Sequence, residues 1–172
     1  PDIQEEILFL TPIEAGRAEV IEWGDDGMIV ACGTLLADCV RAAQLLRAEG
    51  LDVGDINARF VKPLDTETIL RAVSHCGAVV TVEEGALAGG FGSAVLEAAC
   101  AAGIETSRLR CLGFGDHFVE HGERDELLAS LGLNAEGIAA SLKSLLSAGA
   151  ESFGEGIDHA SGVARFDARH PA

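Results

Sequence analysis

Tyrosine is absent from this 172-residue chain, tryptophan and methionine occur once each, and only twelve basic side chains stand against 28 acidic ones. With so few large aromatics and an apolar fraction of 48%, the core must be aliphatic and rich in alanine. The net charge of −16 excludes nucleic acid as a partner, because a binder has to neutralise phosphates with Lys and Arg. No apolar run approaches the roughly 20 residues needed to cross a bilayer, so no membrane role is expected. No basic stretch followed by an apolar one resembles a signal peptide. The chain opens on Pro1 rather than Met, which suggests a fragment or a processed chain. The five cysteines, at 32, 39, 76, 100 and 111, form no C-x-x-C pair and no Cys/His cluster with metal spacing. They read as small buried hydrophobes in a reducing cytoplasm.

What is present suits one domain, a size at which roughly 70% of the unfolded surface can be buried. The acid is uneven: residues 1–26 carry eight carboxylates against Arg17 alone. Such a face favours solubility and suits a basic partner surface. Residues 1–17 form an irregular lead-in, a linker. Ala18–Trp23 alternates apolar and polar, Gly24-Asp25-Asp26-Gly27 has turn composition, and Met28–Cys32 is a buried-strand run. Together they predict a hairpin whose first strand is antiparallel to the second.

A strand-helix rhythm follows. Leu35–Glu49 is apolar at 36, 39, 40, 43 and 46 and stops at Gly50, which predicts a helix. Leu51–Ala58 is a strand candidate, and Asp65 is placed to cap a helix running to about Ser74. Ala78–Val82 is a short apolar strand ending at Glu83-Glu84. The glycine loop 85–92 leads into a helix over Ser93–Ala102, and Ser107–Leu112 is a further strand. Helices are expected at Arg124–Leu131 and at Ala135–Leu146, the latter capped by Asn134. This alternation predicts an α/β fold for residues 18–147, a three-layer α/β/α sandwich around a five-stranded mixed sheet with one antiparallel edge strand. Residues 148–172 turn to Gly, Ala, Ser and His and read as an extra C-terminal tail.

Three segments carry candidate chemistry. The loop containing Gly89 and Gly90 joins a strand to a helix, a geometry that can cradle an anion. It lacks the Lys-Ser/Thr of a phosphate-binding P-loop, and Glu83 and Glu84 would repel a phosphate. As neighbours on a strand, those two acids point to opposite faces and do not form one acid/base pair. Arg59 and Lys62 lie where the strand carboxyl ends of α/β sheets meet ligands, and suit acids of another domain. Asp116, His117, Glu120 and His121 invite a metal reading, but flanking glycines disfavour the helix that would align the histidines. A loop seating Phe118 in an interface is the preferred reading, and a Cys111–His117 nucleophile pair is disfavoured because strand sulfurs are usually buried and inert.

These segments together resemble one family. Phe60-Val61-Lys62-Pro63-Leu64-Asp65, Thr81-Val82-Glu83-Glu84-Gly85 with Gly89-Gly90-Phe91-Gly92-Ser93, Asp116–Gly122, and Leu131–Ile138 are similar, in order and spacing, to motifs of the 1-deoxy-D-xylulose-5-phosphate synthases. The Glu-Glu-Gly and glycine-loop portion is shared with the wider transketolase-type group, including the β subunits of 2-oxo-acid dehydrogenases. The other runs are more selective. The resemblance covers the third domain of a three-domain homodimer. It implies an enzyme that condenses pyruvate with D-glyceraldehyde 3-phosphate, using thiamine diphosphate and Mg2+ held by the other two domains. It implies no catalytic, cofactor or metal residue on this chain, which should be inactive alone. The expected contacts with the cofactor-binding domains are Arg59, Lys62, Glu83, Glu84, Gly89, Gly90, Asp116, His117, Phe118 and His121. A dehydrogenase β-subunit fragment and a stand-alone, non-enzymatic interaction module of the same fold remain as alternatives.

Overall fold

The computed structural model describes residues 13–116, 118 and 121–154. Five strands, β1 (Glu19–Glu22), β2 (Gly27–Cys32), β3 (Val53–Asn57), β4 (Ala78–Ala86) and β5 (Leu109–Phe114), form one sheet. Five helices accompany them: α1 (Leu36–Ala48), α2 (Thr66–His75), α3 (Phe91–Ala101), α4 (Arg124–Ser130) and α5 (Ala135–Gly154). The strand order is β1-β3-β2-β4-β5, with β2 to β5 parallel and β1 antiparallel on the edge. The expected α/β/α sandwich with a mixed five-stranded sheet is therefore present.

The period-2 alternation of the strands divides the core. Ile29, Ala31, Val80 and Val82 pack with Leu46, Ile138 and Leu142 on the side of α1 and α5. Met28, Val30 and Val79 pack with Ile69, Phe91 and Val95 on the side of α2 and α3. No helix of the described residues is long and apolar enough to cross a membrane. The cysteines follow the expectation only in part. Cys39 and Cys76 are buried and Cys32 and Cys111 half-buried, whereas Cys100 is exposed on α3. Burial pushes the Cys76 thiol up to about 11 and that of Cys39 higher still.

The hairpin is corrected. β1 pairs with β3, Glu19 opposite Asn57 and Val20 opposite Ile56, and not with β2. The segment 24–26 does not fold β1 back on β2; it carries the chain across the start of β3. Asp26 N and Gly27 N donate to Asp52 O at 2.9 and 3.2 Å, and Asp52 N donates to Asp26 Oδ2 at 2.7 Å. Gly24 and Gly54 lie so close that a Cβ on either would strike the other's backbone. The crossing leaves a slot between β1 and β2 that β3 fills. β3 thereby gains a hydrogen-bonding neighbour on both sides, as its buried residues require.

Local boundaries moved where caps decided them. Helix α2 starts as expected: Asp65 accepts Thr68 N at 3.1 Å and Thr68 Oγ1 at 3.1 Å, and also Ala18 N at 2.9 Å. Burial raises the Asp65 carboxyl, but these bonds and nearby Arg17 outweigh it and hold it below the ordinary carboxylate value. Helix α3 begins at Phe91, two residues before the expected Ser93. Glu83 supplies the cap from another element, accepting Phe91 N at 2.8 Å and Gly92 N at 2.9 Å. Asn134 Oδ1 accepts Gly137 N at 3.0 Å and starts α5, which continues to Gly154, past the composition change at 148. Residues 155–172 of the expected tail and 1–12 of the expected linker lie outside the described residues.

Two substitutions test these caps. Asp65→Ala should cost about 2 kcal/mol in urea unfolding at pH 7. Because the folded carboxyl is held low, that contribution is complete above the ordinary carboxylate value. It should fade as the pH drops through the lowered one, so the variant and wild type converge in acid. Glu83→Ala, which strands two buried N–H groups, should cost about 2–4 kcal/mol, whereas Glu84→Ala, at a partly exposed ion pair, should cost less than about 1 kcal/mol.

Candidate functional site

All the sequence-predicted site residues that are described lie along the carboxyl edge of the parallel strands, where α/β sheets bind ligands at the point the strand order reverses. Here that point falls between β2 and β4, because the chain leaves β2 toward β3 on one side and later returns to β4 on the other. Gly33 and Thr34 follow β2, and Glu83 and Glu84 lie near the end of β4. An open crevice of ≈ 590 Å³ runs between them, walled by Cys32, Val61, Phe91, Phe114 and Arg124.

The two glutamates face opposite sides of the sheet, as their adjacency requires. Glu83 turns toward α3 and is buried, both carboxylate oxygens engaged by the first turn of that helix. Its surroundings are built to admit it. A Cβ on Gly90 would collide with the carboxylate and with Ala86 O, and one on Gly113 would come within 3.1 Å of Glu83 Cγ. Gly89 takes a positive φ of 76°, its N–H donating to Ser93 Oγ at 3.0 Å, while that hydroxyl donates to Leu87 O at 2.7 Å. The N–H groups at this helix start are the ones a phosphate would use, and the protein's own carboxylate holds them. A diphosphate does not fit there.

Glu84 turns to the other side and is held by a fork. Arg124 Nε donates to Oε1 at 3.0 Å and Nη2 to Oε2 at 2.5 Å, and Thr34 Oγ1 also donates to Oε2. The Arg124 bonds, foremost, and the Thr34 hydroxyl hold the Glu84 carboxyl below its ordinary value. This triad ties the loop after β2, the end of β4 and the start of α4 together. Sequence reasoning passed over Thr34 and Arg124 as partners. The scarcity of basic residues was the available signal, since an arginine at a helix start has few other reasons to be there.

Arg59 sits in the left-handed region at φ 58°, its N–H donating to Asn57 Oδ1 at 3.2 Å. Its guanidinium meets Glu19 on β1 at 2.6 Å, both side chains largely buried, so its ionic partner is an acid of this chain. The Lys62–Pro63 peptide that follows is cis. Lys62 and Val61 are exposed, as are Asp116 and His121, and Phe118 is fully open to solvent at 101%. His117 lies outside the described residues. Among the described residues no group of three or more His, Cys, Asp and Glu side chains gathers to hold a metal ion. Burial raises the thiols of Cys32 and Cys111 above their ordinary value, away from a reactive thiolate. Along the described part of the edge, the Glu83 and Glu84 carboxylates are met from within the chain, while Val61 and Phe118 are exposed.

Comparison with known proteins agrees with that architecture. The profile described as "Transketolase, C-terminal domain" matches residues 16–138. The 1-deoxy-D-xylulose-5-phosphate synthase of Gloeobacter violaceus is 50% identical over 136 residues, which is 79% of this chain and 21% of that protein. That of Symbiobacterium thermophilum is 47% identical over 137 residues, 80% of this chain and 21% of that protein. The chain therefore spans about a fifth of the length of the curated relatives it matches. Among solved structures, a split gene transketolase described as an inactive beta4 tetramer superposes with a TM-score of 0.71 at 34% identity, covering 80% of this chain and 44% of that one. A transketolase mutant from Pichia stipitis shares the fold at a TM-score of 0.51 and 16% identity, covering 77% of this chain and 18% of that one. The matched profile spans the whole sheet and most of its helical cover, and the chain belongs to the transketolase C-terminal domain family.

Proposed function

We propose that this chain is the carboxy-terminal domain of a 1-deoxy-D-xylulose-5-phosphate synthase and that its carboxyl edge is a docking face for the cofactor-binding domains of the same enzyme. The observation that carries the reading is the state of that edge. Glu83 fills the helix N-terminus a phosphate would use, Glu84 is neutralised by Arg124, and Val61 and Phe118 stand uncovered. The synthase relatives, at 44–50% identity, favour this over a dehydrogenase β subunit.

In the complete enzyme, thiamine diphosphate supplies the carbanion chemistry that joins pyruvate to D-glyceraldehyde 3-phosphate, and Mg2+ holds the diphosphate. This chain's residues contribute position. Arg59, Glu83 and Glu84 set the shape of the edge loops from within, and Gly89 and Gly90 allow the glycine loop to close on Glu83. Lys62, Asp116, His117, Phe118 and His121 make the contacts across the interface. The assembled enzyme is a cytoplasmic homodimer.

Calorimetric titration of the isolated chain with thiamine diphosphate and Mg2+ should give no saturable heat at micromolar concentration; saturable binding refutes the reading. Adding a polypeptide with the remaining domains should restore carbon dioxide release from pyruvate that depends on D-glyceraldehyde 3-phosphate. Val61→Asp together with Phe118→Asp should lower that restored rate at least about tenfold, the effect of losing roughly 1.4 kcal/mol of association. The melting temperature of the chain itself should stay unchanged.

A further inference from the structure

One buried carboxylate takes no part in the edge just described. Asp55 lies in the middle of β3, 1% exposed, on the side facing α1. Neither of its oxygens accepts a hydrogen bond. The nearest cation is Arg47 of α1, whose Nη1 is 3.5 Å from Asp55 Oδ1. That same nitrogen lies 2.6 Å from Glu22 Oε2 and donates to Val53 O at 2.9 Å. A register irregularity after Val20 sets Glu22 of β1 directly opposite Asp55. On α1 the buried Cys39 thiol feels both this carboxyl and that of Asp38, and β2 sets Ile29 opposite Asp55 and carries no charge. Two carboxylates on adjacent strands thus share one guanidinium, which lies closer to Glu22 than to Asp55.

We propose that Glu22, Arg47 and Asp55 form a proton-dependent clamp on the edge strand β1: a neutral Asp55 leaves Arg47 to hold Glu22 and β1 on the sheet, and an ionised Asp55 favours release of β1. The physical reason is that lifting β1 removes the like charge of Glu22 and exposes one flank of β3 to water, both of which favour the charged form. Burial raises the Asp55 carboxyl to about 6, with Arg47 lowering it and Glu22 raising it. The closed form therefore binds the proton more tightly than the open one. Opening becomes easier as the pH rises from the ordinary value of 3.8 to about 6 and changes no further above that. The clamp does not rest on the proposed docking role, although β1 also carries Glu19, the ionic partner of Arg59.

Amide hydrogen exchange of the chain across pH 4–8, corrected for intrinsic rates, tests it. Protection of Val20, Ile21 and Glu22 should fall by up to about tenfold per pH unit between pH 4 and 6 and then level off. Protection in β5, the other edge strand, should stay constant. Asp55→Asn should keep β1 protected at every pH. Protection of β1 that does not change with pH, or an equal loss in β5, overturns the clamp. Should the variant fail to fold, carboxyl NMR and exchange on the wild-type chain decide together: loss of β1 protection that follows the Asp55 titration sustains the proposal, and loss that does not follow it rejects the clamp.

Discussion

The acceptance of two helix N–H groups by the Glu83 carboxylate is the contact around which the ligand-facing edge is organised. It joins the end of the interior strand β4 to the start of α3. A buried carboxylate is expensive unless its charge is met, and the partial positive charge at the helix start meets it. The surrounding residues follow from that choice. Only glycine fits at 90, where a Cβ would strike both the carboxylate and a carbonyl oxygen, and Gly113 lets β5 pass close to the Glu83 stem. Glycine enrichment that suggests a phosphate loop instead serves a protein anion.

The same logic extends along the edge. Arg59 and Glu19 neutralise one another beneath the turn after β3, and Arg124 with Thr34 neutralises Glu84 beside the crevice. A surface whose charges are satisfied internally loses little on desolvation, so covering it with another protein surface costs less than covering free carboxylates. Exposed Val61 and Phe118 supply the apolar area that such covering would bury. Among the described residues of this edge, Arg59, Glu83 and Glu84 each find their partner within the chain.

Asp55 is the exception to this economy of pairing. Its neighbours are matched while it is left with a distant share of Arg47. Among the described residues, Asp55 is the buried carboxyl of which neither oxygen accepts a hydrogen bond, and it adjoins the edge strand.

Much of the fold was legible in the residue order. The 3.6-residue stripe of α1, the apolar runs of β2 and β4, Asp65 before α2 and Asn134 before α5 are local signals, and local hydrogen bonding realised each of them. The opposite facing of Glu83 and Glu84 followed from strand geometry alone, and the motif runs identified the family. Other features depended on contacts distant in sequence. The pairing of β1 with β3 was decided by a strand about thirty residues away that needed two neighbours, and no hairpin-like pattern at Gly24–Gly27 encodes that. The early start of α3 depended on a cap from another element. The partners of Arg59 and Arg124 were set by which acids the sheet order brought alongside. Periodicity and caps act within a few residues, so sequence alone determined the elements and the family. Strand insertion and charge pairing act between segments joined only by folding, so tertiary structure alone decided the sheet order and which charges were already spent.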